Sequence, residues 1–565
     1  MRTRSFCVWL VVGLLVILIG TVAFAQGRGL GPDREVADLV LHNAKIYTMD
    51  ENNPVASSIA IKDDKILAVG HRNVTAKVTG PGTEIINLEE ATVLPGLIDS
   101  HVHLPGLGLR LLMVDAHWLP KEEILQNVAD AVEEAEPVEW IRGRGYNEAV
   151  WDPPEPPTRH DLDTVSPENP VIISRYCGHA VWVNTMALQI AEIYPWGPND
   201  HEGIHRDEDG YPTGVLIGGA PSLIWEHVPP WTDEQIKEGI ELAGEECVSV
   251  GLTGVHEASR TGLGTVEMMK SLYEEEALKL RVYEMLSYGA ALELGEPQIG
   301  LYNNRYTIRS VKHIMDGALG ARSAAFIEEY SDAPGHYGYL YTDEDTMTEI
   351  IVNLYEIDFQ IRSHAIGTLG NRTKLNAIER ANEKIEVDDP RPAIEHAQII
   401  HLNDIPRFAE LDVIASMQPL HATEDMLFAE DRVGPERILG GYAWRTLLDQ
   451  GTIIAGGSDA PVSPINPFYS LHAAVTRQDR DNKPEGGWFP EQAVTREEAL
   501  RMFTLDAAYA AFEEDIKGSL EPGKLADLVV IEQDVMDPDI VADEDIWKVE
   551  VLKTIIGGEV VYEKE

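Results

Sequence analysis

Two histidines one residue apart, His101 and His103 in Leu94-Pro-Gly-Leu-Ile-Asp-Ser-His-Val-His103, are the first residues in this chain whose spacing suits metal chemistry. Residues i and i+2 of a β-strand point to one face, so both imidazoles can aim at a common point. Alone, such a pair is common. Three more residues stand in the same relation to a predicted strand: His364 in Phe359-Gln-Ile-Arg-Ser-His364, His396 in Ala393-Ile-Glu-His396, and Asp459 in Ile453-Ile-Ala-Gly-Gly-Ser-Asp459. Taken singly, His396 reads equally well as a hydrogen-bonded core histidine, and Asp459 as a helix N-cap. Together they occupy one structural phase in one chain order, which random placement seldom does. Lys312 lies in an apolar strand, where a lone ammonium is costly. Carbamylation by carbon dioxide would convert it to a carboxylate able to bridge two metals; pairing with Asp316 or facing outward are the alternatives.

These residues need a scaffold that brings strand ends together. Candidate strands near 97–103, 252–257, 279–286, 309–316, 359–364, 392–396, 412–418 and 452–459 alternate with amphipathic helical stretches. The pattern predicts an α/β fold, a (β/α)₈ TIM barrel over 96–514, with the candidate ligands at the C-terminal strand ends where such barrels work. The stretch from about 105 to 250 reads as an insertion after the first barrel strand. It holds the stiff loop Pro153-Pro-Glu-Pro-Pro157 and Trp151, Trp182 and Trp196. Short apolar runs at Asp38–Tyr47, Ser58–Ile61 and Lys65–Val69 are matched at the far end by Ala526–Ile531, Val551–Ile556 and a Gly557-Gly558 hairpin signal. Residues 37–95 plus 515–565 therefore predict a small β-sandwich domain built from both termini.

At 565 residues the chain exceeds one hydrophobic core, and its 44% hydrophobic and 25% charged residues are those of a globular protein. Arg2 and Arg4 precede an apolar run from Phe6 to Ala23, and Ala23-Phe24-Ala25 fits a cleavage site before Gln26. Residues 1–25 thus read as a signal peptide, which predicts an exported protein, periplasmic or secreted; an uncleaved anchor is the alternative. No later run reaches membrane-spanning length, so no stable membrane insertion is expected after cleavage. Cys177 and Cys247 would remain, too few for a disulfide framework, which leaves nitrogen and oxygen as metal ligands. Asp plus Glu number 95 against 45 Lys plus Arg, a charge of −50 that repels nucleic acid.

Pro-Gly-Leu-Ile-Asp-x-His-x-His, the Lys312–Gly317 strand, His364, His396 and Ser458-Asp459 together resemble the amidohydrolase superfamily. More narrowly, Pro212-Thr-Gly-Val215, Asp316-Gly-Ala-Leu-Gly320, His364-Ala-Ile-Gly367, Ile394-Glu-His-Ala-Gln398 and Gln418-Pro-Leu-His421 resemble the YtcJ-like amidohydrolases, a group that includes N-substituted formamide deformylase. The resemblance implies that His101 and His103 hold one metal with Asp459. It implies that His364 and His396 hold a second, with carbamylated Lys312 between them. The cofactor would be one or two divalent metals per chain; zinc suits these ligands best, with manganese, iron or cobalt as alternatives. Asp459 would be the catalytic base, and the substrate a small amide, N-formyl compound, carbamate or cyclic amide. Trp151, Trp182, His179, Asn184, Asp316, Arg322 and His421 are the expected substrate contacts, and a homodimer is implied. Two positions depart from the family pattern, Thr368 and Gly218, where relatives often carry acids. A one-metal hydrolytic deaminase is an alternative, but such enzymes place Glu where this chain has Gly367. A noncatalytic binding protein is another, but such proteins lose ligands that this chain keeps.

Overall fold

Alternation along two neighbouring strands shows how the barrel is built. In β4 (Tyr306–Ile314) and β5 (Gln360–Ala365), Val311, Ile361 and Ala365 join the core outside the barrel. Lys312, Ile314, Arg362 and His364 turn inward, to the barrel interior or the cavity at its mouth. The other strands are β1 (Leu97–Val102), β2 (Leu252–Thr261), β3 (Arg281–Leu286), β6 (Ala393–His396), β7 (Ile414–Met417) and β8 (Ile454–Gly456). Each pairs in parallel with its chain neighbour, and a parallel bridge between Val102 and Ala460 closes the circle. This is the predicted eight-stranded barrel. The computed structural model describes residues 35–564 except 177 and 196–200, so the expected signal peptide, Cys177 and Trp196 lie outside the described residues. Among the described residues no helix is long and apolar enough to cross a membrane.

Both chain ends enter one sheet, in the order Glu559–Glu563, Val551–Ile556, Leu528–Ile531, Thr92–Pro95, Leu39–Tyr47, Val55–Lys62, Lys65–Gly70; Glu84–Asn87 also pairs with Leu39–Tyr47. Its two halves share one apolar cluster, with Leu41, Ile59 and Ile66 from one and Leu528, Val530 and Ile555 from the other, consistent with the expected sandwich. Arg281, at the start of β3, clamps it to the barrel through a buried two-pronged pair with Asp527 at 2.7 and 2.8 Å.

The insertion is a sheet of its own, ordered Ile204–Arg206, Pro212–Ile217, Ala180–Val183, Val171–Arg175, Ile141–Tyr146, Val114–Asp115, with separate apolar clusters that draw on alternate residues of its strands. Helices α1 (Leu104–Leu111) and α2 (Asp233–Ser249) lie before and after it and touch backbone to backbone. A Cβ on Gly108 would lie 2.0 Å from the Gly239 carbonyl oxygen, so only glycine fits there. That contact brings the two connections of the insertion side by side at the barrel mouth.

Candidate metal centre

Three ligand atoms converge at the C-terminal end of the barrel. His101, His396 and Asp459 each offer one within 4.8 Å of the others, and all three residues are buried. His101 is in β1, His396 ends β6, and Asp459 follows β8. His103, the residue before α1, brings Nε2 to 3.1 Å from Asp459 Oδ1; His101 Nε2 lies 3.5 Å from the same oxygen. Lys312 Nζ is 2.8 Å from His101 Nε2, so the lysine faces inward and pairs neither with Asp316 nor with solvent. The His364 and His396 rings lie 4.5 Å apart, and His421 stacks on His396 at 5.8 Å with Nε2 3.7 Å from Asp459 Oδ2. A cavity of about 650 Å³ opens over His103, Lys312, His364, His396, His421 and Asp459.

The donor set fits a divalent metal. Metal-binding imidazoles are usually held by the nitrogen that does not ligate. His101 Nδ1 is held by Glu395, His103 Nδ1 by Ser259 Oγ at 3.1 Å, and His396 Nδ1 by Gln418 Oε1 at 2.8 Å. Burial first, and Lys312 next, bring both His101 and His364 down to about 4, which leaves neutral imidazoles, the ligating form. Asp459 Oδ1 is buried and makes no well-directed hydrogen bond, with only the His103 and His101 ring nitrogens near it, so a cation would satisfy it. Backbone strain also gathers here: His396, Ala397 and Asp459 have φ of +72°, +41° and +62°. Such left-handed conformations cost free energy in residues other than glycine and cluster at functional sites. At His396 the strain has a use. Successive strand residues face opposite ways, but this turn lets both Glu395 and His396 reach His101.

Sequence and structure comparisons agree with this geometry. The amidohydrolase family model matches residues 84–562. The chain belongs to the amidohydrolase family. This amidohydrolase is 32% identical to YtcJ of Bacillus subtilis (strain 168), over 93% of its own length and 99% of YtcJ. It is 26% identical to N-substituted formamide deformylase of Arthrobacter pascens, over 94% and 99% of the two chains. A solved uncharacterized metal-dependent hydrolase from Pyrococcus furiosus is 29% identical and superposes with a TM-score of 0.72, covering 88% of this chain and all of that one. The protein is a hydrolase of this family with a candidate His/His/Asp metal site.

Several expected substrate contacts of the amidohydrolase lie elsewhere. Trp151 packs with Tyr146 and Trp182 in the core of the insertion, and its indole N–H donates to Leu119 O. Trp182 is likewise fully buried there. Asn184 is a structural cap: its oxygen accepts from Val171 and Ala187 N–H, and its amide donates to Ser166 and Asn169 O. His179 is exposed and lines a separate cavity of about 420 Å³ on the insertion, with Glu148, Arg175 and Gly218. Arg322 is paired with Asp332 at 2.7 Å. Asp316 accepts three backbone N–H bonds, from Ile366, Gly367 and Ala325, and so braces loops rather than substrate. Thr368 takes a backbone bond from Ile327 N–H. Of the expected contacts, His421 is the one that lines the cavity over the ligand cluster.

Sequence reasoning missed the supports beneath the ligands. Asp99 accepts from the backbone N–H of His101 and Ser458, tying β1 to the end of β8, and burial raises its pKa to about 7. Glu257 accepts from Leu104 N–H at the start of α1. Arg362 and Glu395 form a fully buried ion pair at 2.6 Å. A signal was available for this pair, since Arg362 and Glu395 are charges inside otherwise apolar strands, each within two residues of a candidate ligand.

Proposed function

We propose that this amidohydrolase cleaves a carbon–nitrogen bond, other than a peptide bond, in a small amide, N-formyl compound, carbamate or cyclic amide. The observation that carries the reading is the convergence of His101, His396 and Asp459 beneath a cavity that His396 and Asp459 line and whose walls include Leu319, Ile366, Phe428 and Val462. His101, His103, His364, His396 and Asp459 would hold the metal, zinc by ligand type. When bound, a divalent metal there supplies Lewis acidity, lowering the pKa of water and polarising the substrate carbonyl. Asp459 takes the proton from the attacking water as its oxygen joins the carbonyl carbon. It then passes that proton to the nitrogen as the C–N bond breaks, leaving an acid and an amine. His421, beside Asp459 and on the cavity wall, orients the substrate oxygen. The chemical state of Lys312 would decide the metal count. Its inward, buried amine is brought down to about 8, chiefly by burial, so a neutral fraction exists to take up carbon dioxide with loss of a proton. As a carbamate it would add a carboxylate to the ligand set, enough for a second metal; unmodified, it would leave a one-metal site on His101, His396 and Asp459.

The test joins metal analysis to a substrate screen. Purified protein should carry between about one and two equivalents of a divalent transition metal, the range found in open catalytic sites and paired ones. It should hydrolyse at least one member of a panel of N-acyl, N-formyl, carbamate and cyclic amide compounds. Replacing His101 and His103 together by alanine should remove most metal and all turnover. Full turnover in that double variant excludes the site.

A further inference from the structure

Below the cavity floor, five strands meet in a buried polar lattice that the hydrolytic steps leave unused. Arg362 of β5 stands at its centre. Its Nε donates to Glu395 Oε1 at 2.6 Å, Nη1 to His256 Nδ1 at 2.8 Å, and Nη2 to Ser100 O and Ser416 Oγ, each at 3.1 Å. His256, Arg362, Glu395 and Ser416 have no solvent exposure. The second oxygen of Glu395 bonds His101 Nδ1.

Donor and acceptor roles in this lattice follow from one fixed group. A guanidinium only donates and keeps its charge in proteins. His256 Nδ1 must therefore accept, which puts its proton on Nε2. Glu395 faces that cation at 2.6 Å with neither side chain exposed, and as the one acid paired with the permanent charge of Arg362 it stands as the carboxylate of a buried ion pair. An ionised carboxylate can only accept, so His101 Nδ1 carries the proton. The lone pair of His101 then sits on Nε2, the atom that faces Lys312 Nζ and Asp459.

We propose that Arg362 and Glu395 are positioning residues that lock His101 in its Nδ1–H tautomer, with the Nε2 lone pair presented to the metal. The inference rests on the metal reading above. A purely structural ion pair would have no need to touch His101, and buried pairs are often replaceable by apolar residues without loss of stability. This pair spends one carboxylate oxygen on a candidate ligand.

Glu395→Gln tests the idea because glutamine cannot satisfy both neighbours. If its carbonyl oxygen accepts from Arg362, its NH₂ faces His101 Nδ1 and drives the proton to Nε2, the wrong nitrogen. Zinc affinity, by competition with a chromophoric chelator, and the visible absorption of the cobalt-loaded full chain are measured for the parent, Glu395→Gln and Glu395→Asp. Glu395→Gln should lose about 10–100-fold in zinc affinity, the usual worth of such a support, and its cobalt spectrum should change. Glu395→Asp keeps the charge on a shorter arm and should fall between the other two. Circular dichroism and thermal melting establish that each variant folds; if the glutamine variant does not, the lowered zinc affinity of the aspartate variant carries the test. Parent-like zinc affinity and cobalt spectrum in the folded variants overturn the proposal while the metal site stands. A parent that binds neither metal overturns both.

Discussion

Asp459 has two tasks in the proposed reaction, ligand and base, and a single substitution separates them. Asp459→Asn keeps an oxygen for metal but cannot take a proton near neutral pH. Turnover should drop by about 10²–10⁴-fold, the usual worth of a positioned acid–base group, while metal content stays substantial. Near-normal turnover would move the base role to His421, whose Nε2 lies 3.7 Å from Asp459. Lys312→Ala should behave differently: if the carbamate bridge exists, turnover falls and short carboxylic acids restore part of it, and native mass spectrometry of the parent detects one added carbon dioxide. At this scale the ligand positions were legible, because histidines and an aspartate ending apolar strands have one way to point. Arg362, Glu395 and His256 were not. A buried charge in a strand says that a partner exists, but only the barrel brings β2, β5 and β6 together around His101.

The barrel strands were legible as elements because parallel strands buried on both faces leave long apolar runs between helices. The sheet of the insertion was hidden. Its strands are short and mix parallel with antiparallel pairing, and one, Val114–Asp115, has only two residues. Loops obey the same logic as strands when a buried side chain holds their backbone. Asp316 ties the segment after β4 to the turn after β5 by three N–H bonds. Asp316→Ala would strand those donors at about 1–3 kcal/mol each, so the urea transition should shift to lower denaturant by a loss of about 3 kcal/mol or more. An unmoved transition would mean that the loops are held by other contacts. In β3, Glu284 is pushed up to about 8, chiefly by burial and then by Glu257, and takes bonds from Thr261 and Tyr306 hydroxyls. The folded state thus keeps a proton that the unfolded chain releases above its ordinary 4.5. Its contribution to stability is complete below that value and is lost as pH rises to about 8. Glu284→Gln should flatten the fall in urea midpoint between those pH values; a slope equal to the parent's would assign the effect to other groups.

Over the whole molecule the 95 acidic and 45 basic side chains give a charge of −50. Such a surplus destabilises the compact state by self-repulsion, and salt screens it within about 10 Å at 0.1 M. The melting temperature should therefore rise when sodium chloride is raised from about 0.01 M to 0.5 M, a range over which the Debye length shrinks several-fold. No rise would show that local ion pairs already offset the surplus. The sandwich has a consequence for how the molecule is made. Thr92–Pro95 is hydrogen-bonded to Leu528–Ile531, a strand synthesised long after it. Until then the earlier strand has an open edge, the usual seed of wrong pairing between chains, and long-range pairing of this kind is slow to form. The barrel, closed by Val102 and Ala460, can begin to assemble earlier, but the sheet built from both parts of the chain must wait for Leu528–Ile531 to emerge. A chain truncated before Leu528 is therefore expected to collect in the insoluble fraction rather than to survive as a working barrel.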